Sequence, residues 1–265
     1  MLLLLAACAA AASSSVAGPG GAHAPQKSSA DAPAGPGSPS GRDALRQIVQ
    51  GQCVVGWSQR HDPAPCERVY LADSKTDSSG YAVLADLKGG AHYLLIPVQT
   101  MAGTDAAELT DPDTPNYFAE AWHARDLVAK FVGHDVPRTD IGLAVNKAHS
   151  RTQDQFHIHI ECLRQDVVES LRGLADRVTE TWTPVTVAGA DYDALRIPAL
   201  GLDGVNPFEL LASMKPDARH HMGDYTVVIA GMQYKTGAGF VVLAGTGQTG
   251  ELLLDPACAV AGGGG

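Results

Sequence analysis

The chain has 265 residues, 45% of them hydrophobic, which is enough for one substantial core or two small ones and too apolar for a disordered protein. Its formal net charge of −10, with only 19 Lys and Arg, excludes broad, non-specific nucleic-acid binding, because that depends on neutralising phosphates over a basic surface. A local pocket for one phosphorylated ligand is not excluded.

The chain opens on "MLLLLAACAAAASSSVAG", apolar from Met1 to Ala12, with no charged residue before Lys27. So short a run does not span a bilayer as a helix. It has the character of the apolar core of a secretory signal, and the absence of basic residues ahead of it places the expected true start codon upstream of Met1. Cleavage after Ala17 or Ala24 satisfies the small-residue rule and gives a signal over residues 1–24. Leu5-Ala6-Ala7-Cys8 equally resembles a bacterial lipoprotein box, in which Cys8 would be acylated and anchor the chain to a membrane. Either route exports the protein and gives Cys53, Cys66, Cys162 and Cys258 an oxidising compartment. Four cysteines allow three pairings. Cys53 and Cys66 bracket the loop "VVGWSQRHDPAP" as the local pair, which leaves Cys162 to Cys258.

Gly18 to Gly41 holds mostly Gly, Pro, Ser and Ala and reads as a tether, with 25–41 left as a disordered linker after cleavage. The folded domain is expected over 42–260, followed by a disordered tail at 261–265. In "RDALRQIVQGQC", Leu45, Ile48 and Val49 give a short apolar helix face that Gly51 ends. "YAVLADLKGGAHYLLIP" reads as two strands about a Gly-Gly turn, the second stopped by Pro97. "DPDTPNYFAEAWHARDLVAKFVG" is the strongest helix: Pro115 in its first turn, Asp113 or Thr114 as cap, Phe118, Trp122, Leu127 and Phe131 on a buried face, Gly133 at its end.

A strand "IGLAVN", a polar loop "KAHSRTQD" and a strand "QFHIHIECL" follow. Then come an amphipathic helix "QDVVESLRGLADRV", a strand "YDALRIPAL", a short helix "NPFELLASM" with Pro207 in its first turn, and a hairpin of "YTVVIAGMQ" and "GFVVLAG". This order repeats that of the first half and suggests a degenerate duplication.

In "QFHIHIECL" alternate residues face opposite sides of the strand. Phe156, Ile158, Ile160 and Cys162 form an apolar face; Gln155, His157, His159 and Glu161 form the other. Two histidines at i and i+2 are by themselves more often surface than site, but the loop ahead adds Asn146 at a strand end, Gln153 seven residues later, and His157 four after that.

This spacing resembles the histidine-triad superfamily of nucleotide hydrolases and transferases, with His157 and His159 on the first and second histidines, the second being the nucleophile, and Glu161 where the third would stand. The closer resemblance is to the CDP-diacylglycerol pyrophosphatase family of bacterial envelope proteins. It is carried by "YLLIP", "LTDPDTPNYF" with "AWHARD", "LAVNKAHSRTQDQFHIHIEC" and "HMGDYTV", spread from about Arg42 to Cys258.

The resemblance implies an α+β fold, an antiparallel sheet flanked by helices, and a place on the periplasmic face of the inner membrane. It also implies hydrolysis of CDP-diacylglycerol to CMP and phosphatidate through a nucleotidyl group on His159. His157 would steady a phosphate or leaving oxygen, and Asn146, Arg151 and Gln153 would serve the non-bridging oxygens. No metal or other cofactor is called for, since Arg and protonated donors can take the charge. To attack, His159 must keep one nitrogen unprotonated while the other donates to a fixed acceptor, which in the superfamily is a backbone carbonyl.

Glu161 departs from the triad: it acts as an acid with a raised pKa or lies beyond the site, and the second reading is preferred. The leaving-group acid is then unassigned, with His149 and His221 as candidates that also read as ordinary loop or cap residues. Three alternatives stand beside this reading: a zinc site on His157, His159 and Glu161, a hydrolase of a soluble nucleotide, and an envelope lipoprotein that only binds its ligand. "GTGQTG", Gly245 to Gly250, matches a dinucleotide-binding pattern formally, but the residues after it leave no space for the helix and strand that pattern needs, so it is a turn.

Overall fold

The computed structural model describes residues 41–71 and 80–262. The expected signal with Cys8 and its cleavage points, the tether up to residue 40 and the last three glycines lie outside the described residues. Ala261 and Gly262, expected in a disordered tail, close a short helix at Ala259–Gly262.

Among the described residues, ten strands form one antiparallel sheet: β1 Arg68–Leu71, β2 Gly80–Ala85, β3 Tyr93–Pro97, β4 Ile141–Val145, β5 Ile158–Leu163, β6 Thr183–Val187, β7 Ala190–Pro198, β8 Thr226–Tyr234, β9 Gly237–Gly245 and β10 Leu254–Asp255. Their order across the sheet is β1-β2-β3-β5-β4-β8-β9-β7-β6, and β10 continues along β5 beyond β3. Within this order one four-strand arrangement occurs twice. β2-β3-β5-β4 and β6-β7-β9-β8 have the same topology, and they meet along β4 and β8 through pairs such as Ala144 with Val228.

Each copy also places its helices between its second and third strands. In the first these are α3 (Tyr117–His123) and α4 (Asp126–Val132); in the second, α6 (Gly201–Gly204), α7 (Pro207–Met214) and α8 (Pro216–His220). The copies differ where it matters most. Residues 146–157 join β4 to β5, whereas Lys235 and Thr236 alone join β8 to β9.

These helices cover one face of the sheet, where Phe118, Leu127 and Phe208 pack on Leu95, Leu143, Ile158, Ile160 and Ile229. Each such side chain, fully buried, contributes about 1.5–3 kcal/mol. The opposite face carries two separate packs. Leu45, Ile48 and Val49 lie on Ala82, Leu84, Leu94 and Ile96 of the outer strands. Farther across, α5 (Gln165–Leu174) sets Val167, Val168, Leu171 and Leu174, spaced to share one helix side, on Val185, Val228, Val241 and Leu243. His159 pairs with Leu94 of the first pack and Ala144 of the second, so the polar side of β5 sits in the seam between them.

Several local expectations shift. Gly51 does not end the first helix: α1 (Ala44–Ile48) runs through a π-helical turn at Val49–Cys53 into α2 (Val54–Arg60), which His61 ends with φ 56°. The helix expected as one piece is broken after His123. Its cap is Asn116, not Asp113 or Thr114, with the Asn116 side chain accepting from the Ala119 N–H at 3.3 Å, so Pro115 stands just outside it. Phe131, expected to be buried, is 56% exposed. Gly133 does end α4, at φ 84°, in the left-handed region open to glycine. Both disulfides join the expected partners: Cys53–Cys66 ties the π-helical turn to the residues before β1, and Cys162–Cys258 ties β5 to the C-terminal segment.

Candidate functional site

His159 and Glu161 reach the seam because the pleat of β5 turns them away from the helix-covered face; His157 stands one residue before the strand. The His157 Nδ1–H donates to the Gln155 carbonyl at 2.8 Å, which leaves Nε2 as the unprotonated nitrogen. Burial, and then His159 beside it, lower its pKa to about 4. The two rings lie 5.1 Å apart.

His159 is 4% exposed, and burial holds its pKa below the ordinary value against the pull of Glu251 and Asp86. Its Nδ1 is 2.9 Å from Nε2 of His92, a buried residue just before β3. The backbone carbonyl expected as the acceptor for His159 is therefore replaced by an imidazole; the residue that does use a carbonyl is His157. Nε2 of His159 has no hydrogen-bond partner among the described residues. Glu251 Oε2 lies 3.3 Å from it, but off the direction of a hydrogen bond.

Glu161 stands behind the His159 ring and is not among the residues that line the cavity there. It is 2% exposed, with Oε1 3.0 Å from His92 Nε2 and 3.7 Å from His159 Nδ1. Burial is the largest influence on its carboxyl; together with Glu251 and Asp86, and against His92 and Lys88, it raises the pKa to about 7. Burial likewise lowers the pKa of His92, whose Nδ1 is 3.9 Å from Asp86. Glu161, His92 and His159 thus form a buried chain leading to one free ring nitrogen.

The His159 ring lines a cavity of about 220 Å³. Its polar side is formed by His157, His159, Asn146 and Glu251, its apolar side by Leu45, Ile48, Leu84 and Leu94. Leu87, 91% exposed, and Lys88 stand at its edge on the β2–β3 turn. Larger concavities of about 470 and 540 Å³ lie around Arg196 and Tyr192 of the second copy, and no histidine lines either. In that copy, the face that carries His159 on β5 carries Val241 and Leu243 on β9, beneath α5.

The other expected site residues divide. Asn146 is in the cavity: its Nδ2 donates to Glu251 Oε2 at 2.9 Å, and its Oδ1 accepts from the Glu251 N–H at 3.3 Å. Gln153 edges the cavity but fastens α1, accepting from Leu45 N–H at 3.2 Å and donating to the Gly41 carbonyl at 3.1 Å. Gln155 is buried outside it and braces the segment after β3, donating to the carbonyls of Pro97 and Gln99. Arg151 does not line the cavity; its guanidinium pairs with Asp105 and lies 3.5 Å from Asp154. His149 and His221 are exposed, each 4.0 Å from Asp224, and neither lines the cavity.

His92 and Glu251 were not legible as site residues. His92 directly precedes "YLLIP" and meets His159 only because β3 pairs with β5. Glu251 directly follows "GTGQTG", which does form a turn, and that turn delivers it.

The donors that come together are also not the zinc trio expected along the strand. His92, His159 and Glu161 place ligand atoms within 4.8 Å of one another. Two imidazole nitrogens on one tetrahedral zinc stand roughly 3.3 Å apart at ordinary bond lengths. The 2.9 Å between His92 and His159 suits a hydrogen bond better.

A neutral, buried imidazole with one ring nitrogen free, facing a cavity that also holds an amide and a carboxylate, is equipped to attack an electrophile such as phosphorus or to take a proton. The family model for CDP-diacylglycerol pyrophosphatase matches residues 40–262, spanning every element just described. The chain belongs to that family and is a hydrolase acting on a pyrophosphate bond.

Proposed function

We propose that the chain cleaves CDP-diacylglycerol to CMP and phosphatidate through a nucleotidyl group on His159, in the manner of the histidine-triad superfamily that its Asn146, Gln153 and His-x-His spacing resembles. The observation that carries this reading is the free, buried Nε2 of His159 at the cavity. With the proton of His159 on Nδ1, donated to His92, Nε2 keeps its lone pair and attacks the cytidylyl phosphorus; the electron pair of the broken P–O bond leaves with phosphatidate. The apolar side of the cavity takes the lipid end, and Leu87 at its edge suits contact with a membrane surface. Asn146 donates to a non-bridging oxygen. Lys88, the cation among the lining residues, replaces Arg151 as the charge that faces phosphate, while Arg151 and Gln153 fix the loop.

Glu161 sets the alkaline limit. As a neutral acid it leaves His92 Nε2 free to accept from His159. Once ionised it draws the His92 proton onto Nε2, and His159 must then hold its own proton on the attacking nitrogen. The pKa is raised, so the neutral, active form prevails below about pH 7 and is lost above it. Asp86, Lys88, His92 and Glu251 are the charged or titratable groups that bear on it, and His159 Nδ1 lies 3.7 Å from it. Glu161→Gln, always neutral, is expected to keep kcat level from pH 7 to 9 where the native enzyme declines; matching declines in both would remove Glu161 from this role.

A second reading has its own support: His157, not His159, has its tautomer set by a backbone carbonyl, so mapping the nucleotidyl group to one ring decides between them. The two disulfides fit a chain that folds in an oxidising compartment, and we place the enzyme in the cell envelope at the periplasmic face of the inner membrane.

The reaction is tested by product analysis with CDP-diacylglycerol and a soluble dinucleoside polyphosphate, each with and without chelator. CMP and phosphatidate from the lipid, unchanged by chelator, are the expected result. Cleavage of the soluble substrate alone would move the chain to soluble nucleotide hydrolysis, and loss of activity with chelator would favour the metal alternative.

A further inference from the structure

Hydrolysis through a nucleotidyl-histidine needs a second step in which water displaces the imidazole, and nothing so far supplies a base for that water. Four ionisable groups around His159 compete for the task, and Asp86, though it lines the cavity, lies by His92, 3.9 Å from its Nδ1, and makes no ion-pair contact with His159. His157 has its Nε2 free, but its pKa of about 4 makes it a weak base. Glu161 is sealed behind His159, its side chain 3% exposed. Glu251 is different: its side chain is 38% exposed, it lines the cavity, and its Oε2 is 3.3 Å from the unpartnered His159 Nε2.

Its placement is built from several directions. Asn146 holds both its carboxylate and its backbone N–H. The turn before it is clamped by Lys147 Nζ on the carbonyls of Thr246 and Gly247 and by Thr226 Oγ1 on the carbonyl of Gln248 at 2.8 Å. Gly250 lets this turn lie flat on the sheet, since a Cβ there would stand 3.0 Å from both Ala144 Cβ and Thr226 Cγ2. The glycine-rich "GTGQTG" is thus the mount of a carboxylate. Burial acts to raise the Glu251 pKa, but His159, the Asn146 amide, Lys88 and His92 together hold it below the ordinary value, so the group is ionised at neutral pH.

We propose that Glu251 is the general base of the second step, taking the proton of the water that splits the nucleotidyl-His159 intermediate. The proposal rests on the nucleotidyl-histidine reading above. Water oxygen bonds to phosphorus, its proton passes to Glu251, the N–P bond breaks with its electron pair returning to His159 Nε2, and CMP leaves. In the first step the carboxylate must move aside for the phosphorus, which leaves it flanking the path of the incoming water. A base placed this way separates a hydrolase from a transferase built on the same histidine.

The test is rapid-quench kinetics on the full chain with cytidine-labelled CDP-diacylglycerol. Glu251→Gln is expected to release one phosphatidate per chain in a burst, to accumulate label on His159, and to turn over about 100-fold more slowly, as the loss of a general base implies. Hydroxylamine, a stronger nucleophile than water, should discharge the accumulated label in the variant as fast as in the native enzyme. Glu251→Asp, which keeps a carboxylate, should recover part of the turnover; equal loss in both variants would indicate a structural role and overturn the proposal. Native turnover in Glu251→Gln, or burst and steady state slowed by one common factor, would overturn it as well. CMP formation with no label on any histidine in the native enzyme would remove the histidine route itself, a result distinct from label that forms and clears normally without Glu251.

Discussion

His159→Ala is expected to lower kcat for CDP-diacylglycerol by on the order of 10⁴-fold or more, the scale on which enzymes lose rate when a covalent nucleophile is removed. Little else in the cavity can substitute. The His157 ring stands beside it with its own Nε2 unprotonated, but its pKa of about 4 marks a poor nucleophile. Glu251, an anion, is repelled by the phosphate it would have to approach. His157→Ala should cost about 10²-fold, as for the loss of one group that stabilises the transition state. The comparison is decisive because the two rings stand only 5.1 Å apart and share their surroundings. If His157→Ala proves the more damaging and the label maps to that residue in the native enzyme, the roles are exchanged and the His92 contact is merely structural.

The second large effect concerns folding. Cys162 and Cys258 are 96 residues apart in sequence, and closing so long a loop restricts the unfolded chain by about 4–5 kcal/mol in the loop-entropy account. That is a large share of the roughly 5–15 kcal/mol that stabilises a domain of ordinary size. Cys258→Ser is therefore expected to lower the urea midpoint sharply, and Cys53→Ser, which opens a separation of only 13 residues, to do so less. Cys162 sits on the apolar side of the strand that carries His159 and Glu161, so activity and midpoint should fall together as reductant is added. Equal midpoints for Cys258→Ser and the native protein would show that the long bridge adds nothing to stability.

The sequence made the central strand legible because its alternation is strict: four apolar residues from Phe156 to Cys162 could only face a core, which sent His157, His159 and Glu161 the other way. Asn146 followed from its place at a strand end. The turn residues Pro97, Gly133 and Pro207 marked boundaries through fixed or permissive backbone geometry. What was not legible depended on contacts between distant segments. Arg151 reads as a phosphate ligand in isolation, but Asp105, 46 residues earlier, claims its guanidinium. His92 has no neighbour in sequence that hints at chemistry; β-sheet pairing alone sets its ring on that of His159, with centroids 5.2 Å apart. The short outer strands β1 and β6 escaped notice because each has too few apolar residues to show a period, and β6 contains Pro184, which suits only a strand with an open side.

The seam between β4 and β8 bears on how the chain can be taken apart. The two copies share a continuous ladder of backbone hydrogen bonds there, and side chains such as Phe118 and Phe208 also meet across it. Severing the link between α5 and β6 would leave each fragment with a raw strand along its inner margin, free to recruit any passing chain. The second copy is in this sense a permanent splint: none of its strands brings a histidine to the cavity, yet β4, which holds Ala144 opposite His159, has β8 along its other side only because that copy is present.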